Sequence, residues 1–483
     1  VSRDAAIYGL AALITQGTAL LAVPVYSRIL GPAGFGVIEL LIVGLQLLAM
    51  VAVAGLEMAA IRLFFAADDE RSKRRLLSTG LFAVLGSGVV VGFVVVLSGD
   101  AIDGWYLPAY DARDAVIVAA ISLPLYVGAR YAREALRAQR RPAAYLVNSA
   151  TAGVLQVAIG VALIAWFDFG PEGVMVGYLA AAAISLAMSI GVARRLFGFE
   201  FSTADFRALR AFGIPLVWTG LAGWSLMFVD RLVLSAFVGV DEVGVYALAS
   251  RLGMALTLVV YAFTRAWTPA MLEVAERDDA DERRTRIRVL NPFLAGIGML
   301  AVAISLLADP LVRLIAGAAF VDAAGLVPVI SMSFVVFAVV PVVQMPMLIR
   351  QRTRPLAIGS SVAALVNLAA NLALVPSYGA AAAAWSTLLA MTVQSGLYWW
   401  AAERIDPTPY PVAKTARVLL VTAAFCGLGW LAFPSGLIGL VTRIAIALGF
   451  PVALVATRAV SYRASREAMR PIMARFAASL RRL

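Results

Sequence analysis

The sequence predicts an all-α polytopic membrane protein of about fourteen transmembrane helices. Three observations predict it. Hydrophobic residues make up 62% of the 483-residue chain and charged residues 14%, against about half and about a quarter in ordinary soluble domains. The excess falls in long apolar blocks, and about 20 apolar residues carry a helix across a bilayer. The connections between blocks alternate between strongly basic and nearly uncharged.

In order, the spans fall near 6–27, 35–62, 76–98, 114–133, 144–167, 173–193, 213–239, 244–272, 290–308, 326–349, 356–376, 379–402, 415–433 and 437–457. The first block is too long for the apolar region of a secretory signal and lacks a small-residue cleavage motif, so it reads as a true span. Pro24, Pro124, Pro215 and Pro341 lie within spans and predict kinks or breaks, not ends.

One set of connections includes "DDERSKRR", "REALRAQRRP", "AERDDADERRTRIR" and "RQRTRP"; with the C-terminal tail it holds most of the 40 Lys and Arg. The intervening set, such as "GPAG", "DFGPEG" and "PSYG", holds few. Positive residues stay on the cytoplasmic side. Both termini are therefore expected in the cytoplasm and the protein in the cytoplasmic membrane. That asymmetry accounts for the net charge of +11 with no nucleic-acid partner. The outer connections are too short for the catalytic loop of a membrane glycosyltransferase or ligase, so no enzyme is expected. The chain has no histidine and one cysteine, Cys426, which argues against soft-metal and iron–sulfur sites. Past the last span, Met469, Ile472, Met473, Phe476 and Leu480 recur at helical spacing among arginines. That pattern predicts an amphipathic helix on the inner leaflet.

An internal repeat organises the spans. "ILGPAGFGVIEL" (29–40) aligns with "FVGVDEVGVYAL" (237–248), setting Gly31 on Gly239, Gly36 on Gly244, Val37 on Val245 and Leu40 on Leu248. Each copy lies at the turn after the first span of a half. The repeat predicts a six-span lobe over 1–198, a second over 199–404, two added spans over 405–458, and a basic tail over 459–483. Six is even, so both lobes keep one orientation and the repeat axis runs along the membrane normal.

These segments carry a family likeness. "YSRILGPAGFGVIELL" (26–41), "DRLVLSAFVGVDEVGVYALASRL" (230–252) and "NLAANLALVPSYGAAAAAW" (367–385) resemble polysaccharide flippases of the multidrug/oligosaccharidyl-lipid/polysaccharide exporter superfamily. The resemblance covers nearly the whole chain. It implies two pseudo-symmetric six-helix lobes around a central cavity that opens alternately to each side. The implied cargo is an isoprenoid-pyrophosphate-linked oligosaccharide, moved from the inner to the outer leaflet for polysaccharide export. Membrane lipids, a polysaccharide polymerase and glycosyltransferases are the implied partners. A lipid II flippase for peptidoglycan synthesis and a multidrug antiporter of the same superfamily are the alternatives.

Charges within spans are the candidate site residues, because a charge near the bilayer centre costs from about 3 to more than 10 kcal/mol. Asp230 and Arg231 sit in an apolar run. Neighbours on a helix point about 100° apart, which predicts a separate partner for each. Arg28, Arg62, Arg231, Arg251 and Arg265 are the candidate substrate-binding residues, since guanidinium forks bind phosphate oxygens and stay charged. Arg251 and Arg265 are about four turns apart, on one helix face. Snorkelling to an interface is the alternative for Arg28 and Arg62, and a structural bridge to Glu39 or Glu57 the alternative for Arg231. Arg443, outside the repeats, reads as packing or meeting lipid.

Asn367 and Asn371 share a helix face. The related lipid II flippase implies a sodium site built from Asp230, Asn367, Asn371, the Ala383 carbonyl and Thr387. Here Asn371 stands where a carboxylate is expected and Arg231 adjoins the site. A proton on Asp230 or Glu57 is the rival coupling ion, and helix–helix hydrogen bonding the alternative role for the asparagines. No other metal or cofactor is expected.

Overall fold

The computed structural model describes residues 2–98, 112–277, 279–434 and 436–460. The amphipathic tail expected around Met469–Leu480 lies outside them. Every regular element among the described residues is helical.

The first unit comprises Val1–Trp224 and Ser235–Gly244. It contains α1 (Ser2–Val53), α2 (Leu56–Ala66), α3 (Glu70–Leu97), α4 (Arg113–Ala138), α5 (Pro142–Phe167), α6 (Pro171–Val192) and most of α7 (Thr203–Phe237). Local chemistry sets the starts. Asp69 caps α3 by accepting the Ser72 N–H at 2.8 Å. Prolines open α5 and α6, where the missing N–H would have no partner anyway. α4 packs against α3 and α6, and α5 against α1 and α6. The buried core includes Leu45, Leu56, Leu81, Leu123, Val127 and Leu136.

The second unit comprises Ser225–Leu234 and Val245–Arg482. Its helices are the rest of α7, α8 (Val240–Arg277), α9 (Asp279–Leu306), α10 (Ala308–Ala316), α11 (Ala323–Phe337), the short α12 (Val340–Val343) and α13 (Met345–Ile349), α14 (Arg354–Ile405), α15 (Val412–Gly427) and α16 (Gly436–Ala456). α11 packs on α14, and α9 on α11, α15 and α16. Pro24, Pro124 and Pro215 lie inside helices, while Pro341 falls where one expected span breaks into α11, α12 and α13.

Twelve helical stretches among the described residues are long and apolar enough to cross a membrane, against fourteen expected spans, because two stretches each hold two helices joined at a kink. The difference lies in two of them, Gly17–Ala66 and Arg354–Ile405, of 50 and 52 residues. At 1.5 Å per residue each runs to about 75 Å, against about 30 Å of hydrocarbon. Each is interrupted, at Gly31 (φ 66°) and Gly379 (φ 56°). The outer faces are apolar: Leu437, Ile438, Val441, Leu448 and Val452 of α16 are all exposed, a surface suited to lipid. The protein is a multi-pass membrane protein.

The two aligned turns meet within the first unit. Gly31 and Gly239 both have positive φ, where a side chain would be strained. A Cβ on Gly36 would lie 2.0 Å from the Val240 carbonyl oxygen, and one on Gly244 would lie 2.1 Å from that of Pro32. Residue 32 is the repeat equivalent of residue 240, so the contact is reciprocal, as a two-fold relation between the turns requires.

Candidate functional site

In the first unit the charged residues at span depth centre on α2 and α4. The backbone leaves the helical path at Ala54 and Gly55, both at positive φ, and α2 restarts with Glu57 in its first turn. From α4, Arg130 meets Glu57 in a two-pronged ion pair: Nε to Oε1 and Nη2 to Oε2, both 3.1 Å. The Arg130 side chain is 36% exposed and that of Glu57 17%. The pair borders a cavity of about 290 Å³ lined also by Gln46, Tyr126, Gly220 and Trp224. Arg28 and Arg62 are exposed, and the Arg62 guanidinium lies 4.7 Å from the centre of the Phe212 ring.

In the second unit, Asp230 and Arg231 are sealed. Their side chains are 5% and 2% exposed. The two charges do meet each other, contrary to the expectation that they diverge: Arg231 Nη1 lies 3.0 Å from Asp230 Oδ1, while Tyr246 gives Asp230 a partner of its own. Helical side chains lean towards the N-terminus, and the long arginine stem folds back so that Nη1 also donates to the Met227 carbonyl at 2.9 Å. The Phe228 and Tyr246 rings flank the guanidinium at 5.4 and 5.5 Å. Glu57, offered as a bridge for Arg231, is held instead by Arg130. Arg251 is half-buried and Arg265 exposed. Arg443 packs as expected, over the Phe433 ring at 4.8 Å and 3.8 Å from Asp309.

The proposed coupling residues are brought together in part. Tyr246 donates its hydroxyl to Asp230 Oδ2 and lies 3.4 Å from Thr387 Oγ1. Thr387 donates to the Ala383 carbonyl at 3.0 Å. Asn367 and Asn371 are buried and bond to each other, with Asn371 Nδ2 donating to the Asn367 carbonyl at 2.8 Å. Asn371 Oδ1 and Asn367 Nδ2 are buried with no partner among the described residues. The cavity beside Asp230 is about 10 Å³, room for one water-sized body. Arg231 already holds Asp230 Oδ1 there.

Two residues escape the sequence reading. Arg130 lies three residues from the end of its expected span and looks like an interfacial arginine; its pairing with Glu57 depends on the α1–α2 break. Tyr246 was quoted in the repeat, but nothing in its local sequence marks the hydroxyl as a link between Asp230 and Thr387.

Comparison with known proteins adds the family. The family model described as polysaccharide biosynthesis protein matches residues 1–275. The chain belongs to that family. The chain is also similar to a curated relative, the succinoglycan biosynthesis transport protein ExoT of Rhizobium meliloti (strain 1021), at 22% identity over 297 residues. That alignment covers 59% of this chain and 58% of the relative, so the chain spans less than two thirds of that protein. Among solved structures, the lipid II flippase MurJ in an inward closed conformation superposes with a TM-score of 0.74 at 13% identity, over 96% of this chain and 98% of that one. An inward-facing multidrug resistance MATE family transporter of the MOP superfamily gives 0.65 at 15% identity, over 82% and 98%. A MOP superfamily transporter from Pyrococcus furiosus gives 0.54 at 15%, over 83% and 95%. This polysaccharide biosynthesis protein therefore has the fold of MOP superfamily transporters.

Proposed function

We propose that this chain is a flippase. It moves an isoprenoid-pyrophosphate-linked oligosaccharide from the inner to the outer leaflet of the cytoplasmic membrane by alternating access, with both termini in the cytoplasm. The family and the transporter fold support this reading. The observation that carries it is the Glu57–Arg130 pair at the wall of a cavity of about 290 Å³. A half-exposed guanidinium fork already gripping one oxyanion can exchange it for a phosphate of the same geometry. The exposed Arg28 and Arg62 of the first unit, and the exposed Arg265 and half-buried Arg251 of the second, remain candidate substrate-binding residues. Arg231 belongs to the second unit's internal pair.

Coupling follows from the same exchange. When the pyrophosphate takes Arg130, Glu57 loses its counter-charge and becomes able to bind a proton. Sodium at Asp230, Asn367, Asn371, Ala383 and Thr387 would first require Arg231 to leave Asp230, so the proton reading needs less rearrangement. The polymerase and glycosyltransferases that consume and supply the cargo are the expected neighbours in the pathway. The lipid II reading shares the pyrophosphate and differs in the sugar. A cationic drug does not suit a candidate site whose accessible charge is the Arg130 guanidinium.

The test is translocation by the purified chain in proteoliposomes carrying an isoprenyl pyrophosphate oligosaccharide. The measurement is the fraction of sugar open to an external glycosidase, with and without sodium and pH gradients. Transport that responds to the pH gradient and ignores sodium supports the reading. No transport under any gradient overturns the flippase, and strict sodium dependence overturns the proton at Glu57.

A further inference from the structure

The first unit holds another cavity, of about 270 Å³, formed among α1, α4, α5 and α6. Its polar lining includes Thr18, Ser149, Gln156, Tyr126, Tyr178 and Arg133. No carboxylate is among its lining residues. Such a set is costly inside a membrane helix bundle unless its donors and acceptors meet a partner.

The lining is built, not incidental. Ser185, at the same cavity, donates to Asn148 Oδ1 at 2.7 Å. Asn148 returns bonds to the Ser185 carbonyl at 2.9 Å and to Ser189 Oγ at 3.0 Å. This buried network fixes one wall. Arg133 makes a single long hydrogen bond among the described residues, 3.4 Å to Ser185, so most of its five donors stay open. Gln156 is half-buried, and its amide appears in no hydrogen bond among the described residues. The Tyr126 and Tyr178 rings stand 6.3 Å apart, tilted 56°. Tyr126 also lines the Glu57–Arg130 cavity, so it is a wall common to both.

We infer that this cavity seats the first sugar of the cargo, the ring joined to the pyrophosphate. The inference rests on the flippase reading. A pyranose presents a ring of hydroxyls that both donate and accept, matching Thr18, Ser149 and Gln156. It also presents C–H faces that pack on aromatic rings such as Tyr126 and Tyr178. Arg133 excludes a cation and favours a ring that carries an adjoining phosphate. A cavity of about 270 Å³ sits at the small end of the range of about 300–1,000 Å³ for ligand sites, and suits a single ring.

The test uses the full chain in nanodiscs with two kinds of probe: isoprenyl pyrophosphate alone, and isoprenyl pyrophosphate bearing one glucosyl or galactosyl residue. Wild type binds at least one sugar-bearing probe more tightly than the bare one, by about 3- to 10-fold for one or two hydrogen bonds. Gln156→Leu removes that increment and leaves binding of the bare probe unchanged. Gly153→Val, which projects into the cavity from α5 towards Thr18, does the same and serves if the first variant does not fold. Equal binding of bare and sugar-bearing probes by wild type overturns the sugar seat and leaves the flippase reading standing. So does a sugar increment that survives in the folded variants. Failure of wild type to bind any probe overturns the flippase reading itself.

Discussion

Two acid–arginine pairs at span depth, Glu57–Arg130 in the first unit and Asp230–Arg231 in the second, are unlike. Glu57 and Arg130 are 73 residues apart, come from different helices, and keep 17% and 36% of their side chains exposed beside a cavity of about 290 Å³. Asp230 and Arg231 are neighbours in sequence, 5% and 2% exposed, beside a cavity of about 10 Å³. The same chemistry therefore serves two ends. An accessible pair can trade its carboxylate for another oxyanion. A sealed pair has no exposed face for such an exchange, and Asp230 instead ties α7 to Tyr246 of α8.

The largest effect expected from this contrast is on stability. Asp230→Ala removes a buried carboxylate that binds both Arg231 and the Tyr246 hydroxyl, and breaking a buried pair typically costs about 3–5 kcal/mol. Its thermal midpoint in detergent should fall well below that of Glu57→Ala, where a partly exposed pair contributes roughly 1 kcal/mol or less. Equal midpoints for the two variants would break the comparison.

A third cluster sharpens it from outside the spans. Arg286 is buried against Asp406 at 2.5 Å, Glu282 at 2.7 Å and the Tyr410 hydroxyl at 3.1 Å, and Arg283 lies 2.5 Å from the other Asp406 oxygen. Burial works to raise the Asp406 pKa, but the hydrogen bonds and charges of Arg283 and Arg286 outweigh it and hold it below the usual value. A carboxyl lowered by folding stabilises the fold above its unfolded pKa, and that contribution is lost as pH falls through the folded pKa. Asp406→Asn should therefore flatten the acid limb of the stability–pH curve below about pH 4. An unchanged acid limb would show that the cluster carries no such linkage.

Much of the fold was legible. Apolar block length gave the helices, and the aligned glycines of 29–40 and 237–248 marked two turns that meet, because glycines needed at a tight reversal and a close backbone approach leave a pattern in the chain. The two longest stretches each hold two of the expected spans, because Gly31 and Gly379 turn the chain so tightly that the helices on either side run on from one another. The site was legible in residue type more than in pairing. Asp230 and Arg231 declared themselves by sitting in an apolar run, but the rule that adjacent side chains diverge ignored the reach of an arginine folded back along its own helix. Glu57 was visible as an acid at span depth; Arg130 as its partner was not, since only the break at Ala54 and Gly55 sets α2 where α4 can reach it.

The central claim is that the accessible pair exchanges its carboxylate for the cargo's pyrophosphate. Its most direct measurement is the affinity of the purified chain for isoprenyl pyrophosphate in Arg130→Ala and Glu57→Gln. Removing the cation should weaken binding by about 10-fold or more, and removing the competing carboxylate should tighten it, each step of about 1.4 kcal/mol being tenfold. Movement of both variants in the same direction, or of neither, would contradict the account.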